Sequence, residues 1–307
     1  MGGNVFEIKS NPINKENIDT TLDCFFNELE RIFPNYEQCR MHYVLLGSAG
    51  KKDVSGDLDI GFDETYLEDL SMWEVDKTHV NELFALFKKR ARTSKDDQIM
   101  KRAVITAIGE KINKNSKLIS VNLKSTGSGV LYCQCPQYDQ EYKKLDLLVQ
   151  VDINFGKLEW LKFAYYSDSY EGNIKGLHRT QLMLHMFANK GYVFSHNYGV
   201  KNKETQDIAA STPDEAIQLL NDLYNLSLTD DILKNYNRLQ EYLRTNLPEI
   251  ELHNIYDIYL KTLNSTRCDI PEDMQEYWID NQERLDLTGK FLPETSNLIK
   301  YQTCQDQ

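Results

Sequence analysis

The sequence predicts an α/β protein, with a mixed sheet and helices in residues 1–165 and an all-helical domain in residues 166–307. Three observations support this division. Short apolar segments, some alternating with acidic residues, predict several strands in the first part. Apolar residues at helical spacing around 80–87 and 99–108 predict two helices between these strands. After Gly156 the apolar spacing becomes helical for the rest of the chain.

The first part begins with a predicted helix, and predicted strands lie before and after the two helices of 80–87 and 99–108. Apolar residues at helical spacing predict a helix from Asn17 to Phe33, with Pro34 directly after it. A short apolar run over 42–46 stops at a glycine and predicts a buried strand. Alternation predicts further strands over 57–63 and 145–155, and the glycines of 127–129 predict a hairpin between two strands.

The second part is acidic. Most of the net charge of −12 lies in residues 205–307, and an acidic surface is unsuited to binding a long stretch of phosphate backbone. A protein partner for this acidic half is therefore a further expectation. Thr212-Pro213-Asp214-Glu215 predicts a helix start, with Thr212 as N-cap and the proline at the first helical position.

Composition indicates a globular protein with reduced cysteines. Hydrophobic residues make up 41% of the 307 residues, and no apolar run approaches the length that crosses a bilayer. The segment Met1–Phe6 has neither the basic nor the apolar region of a secretory signal, so we expect a cytoplasmic protein with no membrane partner. The six cysteines include no Cys-x-x-Cys pair, which favours free thiols over disulfides or zinc.

Acidic residues occupy one face of a predicted strand. In 57–63 the apolar residues alternate with Asp57 and Asp59, so core and carboxylates point to opposite faces. In the later strand, Asp152 and Asp146 both face away from the apolar side. If the two strands are neighbours in one sheet, Asp152 lies beside Asp57 and Asp59. A solvated strand face without chemistry is the alternative interpretation.

Crowded carboxylates of this kind suit a divalent cation. Like charges resist ionisation together, and Mg²⁺ takes oxygen ligands that it shares with substrate phosphates. Two such ions, about 3.5–4 Å apart, can activate an attacking hydroxyl and stabilise leaving pyrophosphate. The turn at Gly47 and Ser48 offers backbone N–H groups to a triphosphate, and Lys51 and Lys52 add positive charge. We therefore expect two Mg²⁺ ions, which Mn²⁺ can replace, and a bound nucleotide.

The motif "GSAGKKDVSGDLDI" resembles the signature of the DNA polymerase beta-like nucleotidyltransferase superfamily. That signature combines Gly-Ser, a short linker, Asp-x-Asp, and a third Asp on a later strand. The resemblance implies that Ser48 contacts the triphosphate and that Asp57 and Asp59 bind both metals. It also implies that Asp152 completes the site as metal ligand and general base, with Asp146 as the alternative third acid.

A second block, "VQVDINFGKLEWLKFAYYS", is similar to nucleotidyltransferases of bacteriophage origin. This chain also departs from the superfamily pattern. Eight residues separate Ser48 from Asp57, slightly fewer than is usual in the superfamily. A long insertion of helices and a hairpin separates the Asp-x-Asp strand from Asp152.

A basic segment lies inside this insertion. It includes Lys88, Lys89, Arg90 and Arg92. A run of charges is usually a solvated helix face, but its position next to the predicted site also favours contact with an RNA or DNA acceptor.

A second basic group follows the predicted sheet. Lys175, His178 and Arg179 lie at the start of a predicted helix, whose N-terminal end would suit the phosphates or base of a nucleotide. The alternative is a linker that only joins the two domains.

The sequence thus predicts a metal-dependent nucleotidyltransferase core. It would transfer a nucleoside monophosphate from an NTP, such as ATP, to an acceptor hydroxyl and release pyrophosphate. The acceptor is an RNA or DNA 3′ end in the leading hypothesis. Nucleotidylation of a protein or a small molecule, synthesis of a cyclic nucleotide, and nucleotide binding without catalysis remain open alternatives.

Overall fold

The computed structural model describes residues 5–36, 42–91, 95–167, 176–266 and 268–287. The predictions for Arg92 and Lys175 lie outside these residues. The described part of the chain is a mixed α/β structure with ten α-helices and ten strands. Its α-helices are α1 (Ile18–Ile32), α2 (Lys77–Arg90), α3 (Asp96–Asn115), α4 (Leu158–Ala164), α5 (Gly176–Asn189), α6 (Pro213–Tyr224), α7 (Asp230–Lys234), α8 (Tyr236–Asn246), α9 (Glu249–Thr266) and α10 (Glu272–Asn281). Its strands are β1 (Ile13–Asn14), β2 (Val44–Leu45), β3 (Val54–Ser55), β4 (Leu58–Phe62), β5 (Ser120–Val121), β6 (Val130–Tyr138), β7 (Lys144–Phe155), β8 (Tyr192–Ser195), β9 (Gly199–Asn202) and β10 (Ile208–Ala210).

The chain folds into two compact units. The first lies within Met1–Tyr170, Ser195–Gly199 and Ser211–Pro213, and the second within Glu171–Phe194, Val200–Ala210 and Asp214–Gln307. Among the described residues, no helix combines the length and the apolar character needed to cross a bilayer.

A five-stranded sheet of order β2-β4-β7-β6-β5 forms the centre of the first unit. β4 and β7 are parallel, whereas the pairs β2–β4, β6–β7 and β5–β6 are antiparallel. The sheet is therefore mixed, as the sequence predicts. β2 is shorter than the predicted strand over 42–46. Val44 and Leu45 pair with β4, and the N–H of Leu46 donates to the carbonyl of Asp59 at 2.8 Å.

Helix α1 begins and ends within one residue of its predicted bounds. Ile18, Leu22, Phe25 and Leu29 recur every three or four residues and are all buried, so one helix face enters the core. The prediction of this helix is confirmed because its apolar spacing is strong and Pro34 cannot continue it.

Phe62 lies at the centre of the aromatic core on one face of the sheet. Its ring centroid is 6.5 Å from that of Phe26, 6.1 Å from Tyr36, 6.3 Å from Tyr66 and 6.0 Å from Phe155. Aromatic pairs at such distances contribute about 0.5–1.5 kcal/mol each beyond the burial of their area. This packing fixes which face of β4 and β7 is core, and so which face carries the aspartates.

The predicted hairpin around 127–129 differs in its connection. β5 and β6 pair antiparallel, with Ser120 opposite Gln134, but a 3-10 helix over Leu123–Ser128 joins them in place of a tight turn. The Asn122 side chain accepts a hydrogen bond from the backbone N–H of Lys124 at 2.9 Å and so starts this helical turn. Such a cap competes with strand pairing, which explains why β5 has only two residues.

The second part of the chain is not all-helical, and this corrects the prediction. β8, β9 and β10 form a three-stranded sheet of order β10-β9-β8 between helices α5 and α6. Strands of three or four residues are too short for alternation to be distinguished from helical spacing. The helix predicted from the Thr212-Pro213 start is confirmed, since α6 begins at Pro213.

Candidate functional site

Asp59 and Asp152 lie side by side on two neighbouring parallel strands. In the register of β4 and β7, Asp59 is the direct partner of Asp152, and Ile60 is the partner of Ile153. Both isoleucines are buried in the core, so the alternation of side chains puts both aspartates on the opposite face. Asp57 directly precedes β4, two residues before Asp59, and by the same alternation shares that face. Residues far apart in the chain thus meet on one sheet surface.

Mutual repulsion and burial change the acidity of this group. Burial and then the charge of Asp57 raise the pKa of Asp59 to about 7. Burial and then the charges of Asp59 and Asp57 raise the pKa of Asp152 to about 8. Burial also raises the pKa of Asp57. These carboxyls therefore resist full ionisation at neutral pH until positive charge reaches them.

The glycine-serine turn lies directly against this pair. Gly47 has a φ of +61°, and a Cβ atom added there would lie 3.1 Å from Oδ2 of Asp59. Its backbone N–H donates to the carbonyl oxygen of Tyr165 at 3.1 Å, and the Ser48 carbonyl accepts from the N–H of Lys51 at 3.1 Å. The described turn does not open a helix. A side chain at this position would be strained by the positive φ and would force the Asp59 carboxylate to shift by a few tenths of an ångström.

Asn154 and Tyr165 support the site from β7 and from the segment after α4. The Tyr165 hydroxyl donates to Oδ1 of Asn154 at 2.8 Å, and Nδ2 of Asn154 donates to the Asp152 carbonyl at 3.2 Å. A hydrogen bond from the Asn154 side chain also counters the rise in the pKa of Asp59. Tyr165 therefore links the turn at Gly47, through its carbonyl, to the strand that carries Asp152.

Gln150 contacts the third aspartate directly. Its Nε2 donates to Oδ1 of Asp152 at 2.8 Å and to Oδ2 at 3.1 Å. Gln150 is 2% exposed and Asp152 is 8% exposed, so these hydrogen bonds are shielded from water. A bond from a donor to a carboxylate favours its charged form, and here it counters the rise in the pKa of Asp152.

The donor set suits a hard divalent cation such as Mg²⁺, because all three acids offer carboxylate oxygens. As the side chains stand, no three His, Cys, Asp or Glu residues in the described part of the chain surround a common metal position. Paired strands lie about 4.8 Å apart, and the terminal torsion of Asp is broad. A common metal position therefore requires rotation of the Asp57 and Asp59 side chains, with the strands and the Asp152 carboxylate bound by Gln150 kept in place.

The two lysines predicted near the phosphates have different surroundings. Lys51 is exposed, donates to the carbonyl of Ser167 at 2.5 Å, and lies 5.2 Å from the ring centroid of Tyr166. Lys52 is half-buried in the same stretch that joins the glycine turn to β3. Both lie within the same connection, between Gly47 and Asp57.

His178 and Arg179 belong to the second unit. They are 2% and 1% exposed. Nδ1 of His178 is 2.9 Å from the hydroxyl of Tyr259, and Nε of Arg179 donates to the carbonyl of Leu233 at 2.5 Å. These contacts lie within the helical core of that unit, so a core role accounts for both residues.

The basic segment of the insertion lies at the end of α2. Lys88, Lys89 and Arg90 are all exposed, and Lys88 pairs with Asp96 at 2.7 Å. Lys89 and Arg90 are therefore the better candidates for contact with an anionic acceptor.

Asp146, the alternative third acid, lies apart from the pair. It is exposed near the start of β7. It lies six positions before Asp152 along the strand, which corresponds to about 20 Å. Asp152, as the register partner of Asp59, is the acid that lies beside the Asp-x-Asp motif.

Sequence patterns predicted roles for the aspartates but no contacts for the residues around them, which are Gln150, Asn154 and Tyr165. Gln150 and Asn154 stand two residues on either side of Asp152, so alternation already placed them on its face. Tyr165 gave no such signal, because its contacts with Gly47 and Asn154 depend on the tertiary fold.

No family model matches the sequence, and no curated protein matches it significantly.

Proposed function

We propose that the chain is a metal-dependent nucleotidyltransferase, which transfers a nucleoside monophosphate from an NTP to an acceptor hydroxyl. The observation that carries this proposal is the pairing of Asp59 with Asp152, with the turn at Gly47 in contact range of Asp59. A glycine turn next to paired acids suits phosphoryl transfer better than a structural role. Structural sites seldom crowd three carboxylates without a cation partner.

Each residue has a role that follows from its position. The backbone N–H groups of the glycine turn between Gly47 and Lys51, whose own N–H groups bond to carbonyls of the protein, and the hydroxyl of Ser48 would hold the triphosphate. Asp57, Asp59 and Asp152 would hold Mg²⁺, which when bound neutralises phosphate charge and acidifies the attacking hydroxyl. Lys51 would add positive charge near the leaving group.

The reaction forms one bond and breaks another at the same phosphorus. The acceptor oxygen bonds to the α-phosphorus, and the bond from that phosphorus to the bridging oxygen of the β-phosphate breaks. The acceptor proton passes to Asp152, and pyrophosphate leaves. Asp152 suits this base role because it is the register partner of Asp59 and so lies where the attacking hydroxyl and the metal would meet.

The acceptor proposed first is an RNA or DNA 3′ end. Exposed Lys89 and Arg90 on the insertion support this choice. A protein or small-molecule acceptor, a cyclic product, and nucleotide binding without turnover are the other outcomes that the assay separates.

Label transfer tests the proposal directly. The protein is incubated with α-³²P-labelled NTPs, Mg²⁺ or Mn²⁺, and separate pools of tRNA, oligonucleotides and lysate. We expect label on one pool, and a loss of at least about a hundredfold in Asp59→Asn. Asp146→Asn is the matched control, since it removes an exposed acid from the same strand as Asp152.

Three results would contradict the proposal. They are an Asp59→Asn variant that transfers label at the wild-type rate, equal losses in Asp59→Asn and Asp146→Asn, and nucleotide binding without any labelled product. The last of these would favour a nucleotide-binding module.

A further inference from the structure

The side chain of Gln150 is unusual for a buried amide. Both hydrogen bonds of its Nε2 go to the two oxygens of Asp152, at 2.8 and 3.1 Å. In the described part of the chain, its Oε1 is buried and has no hydrogen-bond partner. Buried amide oxygens are almost always paired, and an unpaired one lowers stability. The unpaired oxygen of Gln150 therefore lowers the stability of the folded protein, and the hydrogen bonds to Asp152 must offset this loss.

The neighbouring amide on the sheet does not relieve this cost. Gln134 is the register partner of Gln150 on β6, but its Nε2 donates to the Ile8 carbonyl at 2.9 Å and to the Ser10 hydroxyl at 2.8 Å. Gln134 therefore anchors the N-terminal segment, while Gln150 is oriented toward Asp152. The two adjacent glutamines thus make different contacts: Gln134 bonds to the N-terminal segment, and Gln150 bonds to Asp152.

We propose that Gln150 is a positioning residue, which holds the Asp152 carboxylate in the orientation that metal binding and proton acceptance require. This inference rests on the proposed function and deepens it. A freely rotating carboxylate beside two other acids would turn away from them because of charge repulsion. Two hydrogen bonds from one buried amide oppose that rotation, because turning the carboxylate would break at least one of them.

A residue that orients a metal ligand through hydrogen bonds has a measurable effect on metal affinity and activity. Removing such a partner typically costs about 10–100-fold in metal affinity or activity. Methionine keeps the length and volume of Gln150 but offers no donor, so Gln150→Met removes the two bonds and leaves the packing intact. The lost bonds and the removed unpaired oxygen act in opposite directions on stability, so we expect Tm within about 3 °C of wild type.

Gln137→Met is the matched control. Gln137 is also buried on β6, and its Nε2 donates to the carbonyls of Asn11, Pro12 and Leu148, not to an acid. Its loss should lower Tm by more than about 3 °C, since it removes bonds to buried backbone groups. It should leave metal binding and catalysis unchanged. The two variants are thus expected to show opposite patterns of stability and function.

The experiment measures two properties of the full-length protein. Mn²⁺ affinity is measured by calorimetry without nucleotide, and kcat and KM for the NTP are measured by label transfer at saturating Mn²⁺. For Gln150→Met we expect Mn²⁺ affinity to fall about tenfold and kcat to fall about 10–100-fold, with KM for the NTP within twofold of wild type. A merely structural role would not separate kcat from KM and from Tm in this way.

The inference would be overturned if Gln150→Met kept wild-type Mn²⁺ affinity and kcat, or if Gln137→Met showed the same losses. A wild-type protein that binds no Mn²⁺ would overturn it as well. If the wild type binds Mn²⁺ but transfers no label to any pool, the proposed function fails. The Mn²⁺ affinity of Gln150→Met then still decides whether Gln150 positions Asp152.

Discussion

Replacing Asp152 with asparagine should make the metal-free protein more stable at alkaline pH. Asp152 is 8% exposed, it pairs in register with Asp59, and burial together with the charges of Asp59 and Asp57 raises its pKa to about 8. Asparagine has nearly the same shape, still accepts a hydrogen bond from Gln150, and carries no charge. The substitution therefore removes repulsion and the cost of burying a charge, with little change in packing.

The pH dependence follows from where the proton is bound. Below pH 4 the carboxyl is protonated in both the folded and the unfolded chain, so it has no differential effect. Between about pH 4 and pH 8 the folded protein retains a proton that the unfolded chain has released, so the free energy of unfolding falls as pH rises. Above about pH 8 the wild type bears the full destabilisation, whereas Asp152→Asn bears none of it.

The magnitude is large enough to measure. Each pKa unit corresponds to about 1.4 kcal/mol of differential stability. Relief of one unit would raise Tm by about 2–4 °C in a chain of this size class. We therefore expect Asp152→Asn to unfold at least about 2 °C above wild type at pH 8.5, with a smaller difference at pH 5.

Thermal and urea unfolding in EDTA at both pH values provide the assay, with Asp146→Asn as the control on an exposed acid of the same strand. Added Mn²⁺ should then raise the Tm of the wild type more than that of Asp152→Asn, because binding stabilises only a protein that retains its ligands. The reasoning would be refuted if Asp152→Asn were no more stable than wild type at pH 8.5 in EDTA.

Two further predictions concern the glycine turn and the basic segment. Gly47→Ala and Gly50→Ala both place a side chain at positive φ, at a cost of about 1–2 kcal/mol, but only Gly47→Ala also brings a Cβ to 3.1 Å from Asp59. We expect both to lower Tm and Gly47→Ala alone to lose label transfer, by about tenfold or more; equal transfer by the two would contradict the close approach. If nucleic acid is the acceptor, Lys89→Gln with Arg90→Gln should weaken its binding and reduce the slope of log K against log salt by about 1–2. An unchanged slope would exclude this surface as the contact.

Local sequence patterns predicted the elements that carry the site. The apolar spacing of α1 and the alternation in β4 and β7 gave helix and strands with bounds close to those of the structure. Weaker sequence patterns predicted the shorter strands inaccurately or not at all. β5 is shortened by a competing cap at Asn122, and the short strands β8 to β10 were missed in favour of helix.

Alternation along a strand is a local property with a period of two residues, so the amino-acid order alone is enough to turn Asp59 and Asp152 away from the core. The parallel pairing of β4 and β7 with those residues in register, and the contact of Gly47 with Asp59, are properties of the folded chain that no segment predicts alone. Register depends on burying two apolar faces at once, across a long insertion between the two strands. No local pattern carries that information, since a slip of one residue would leave every strand intact and separate the acids.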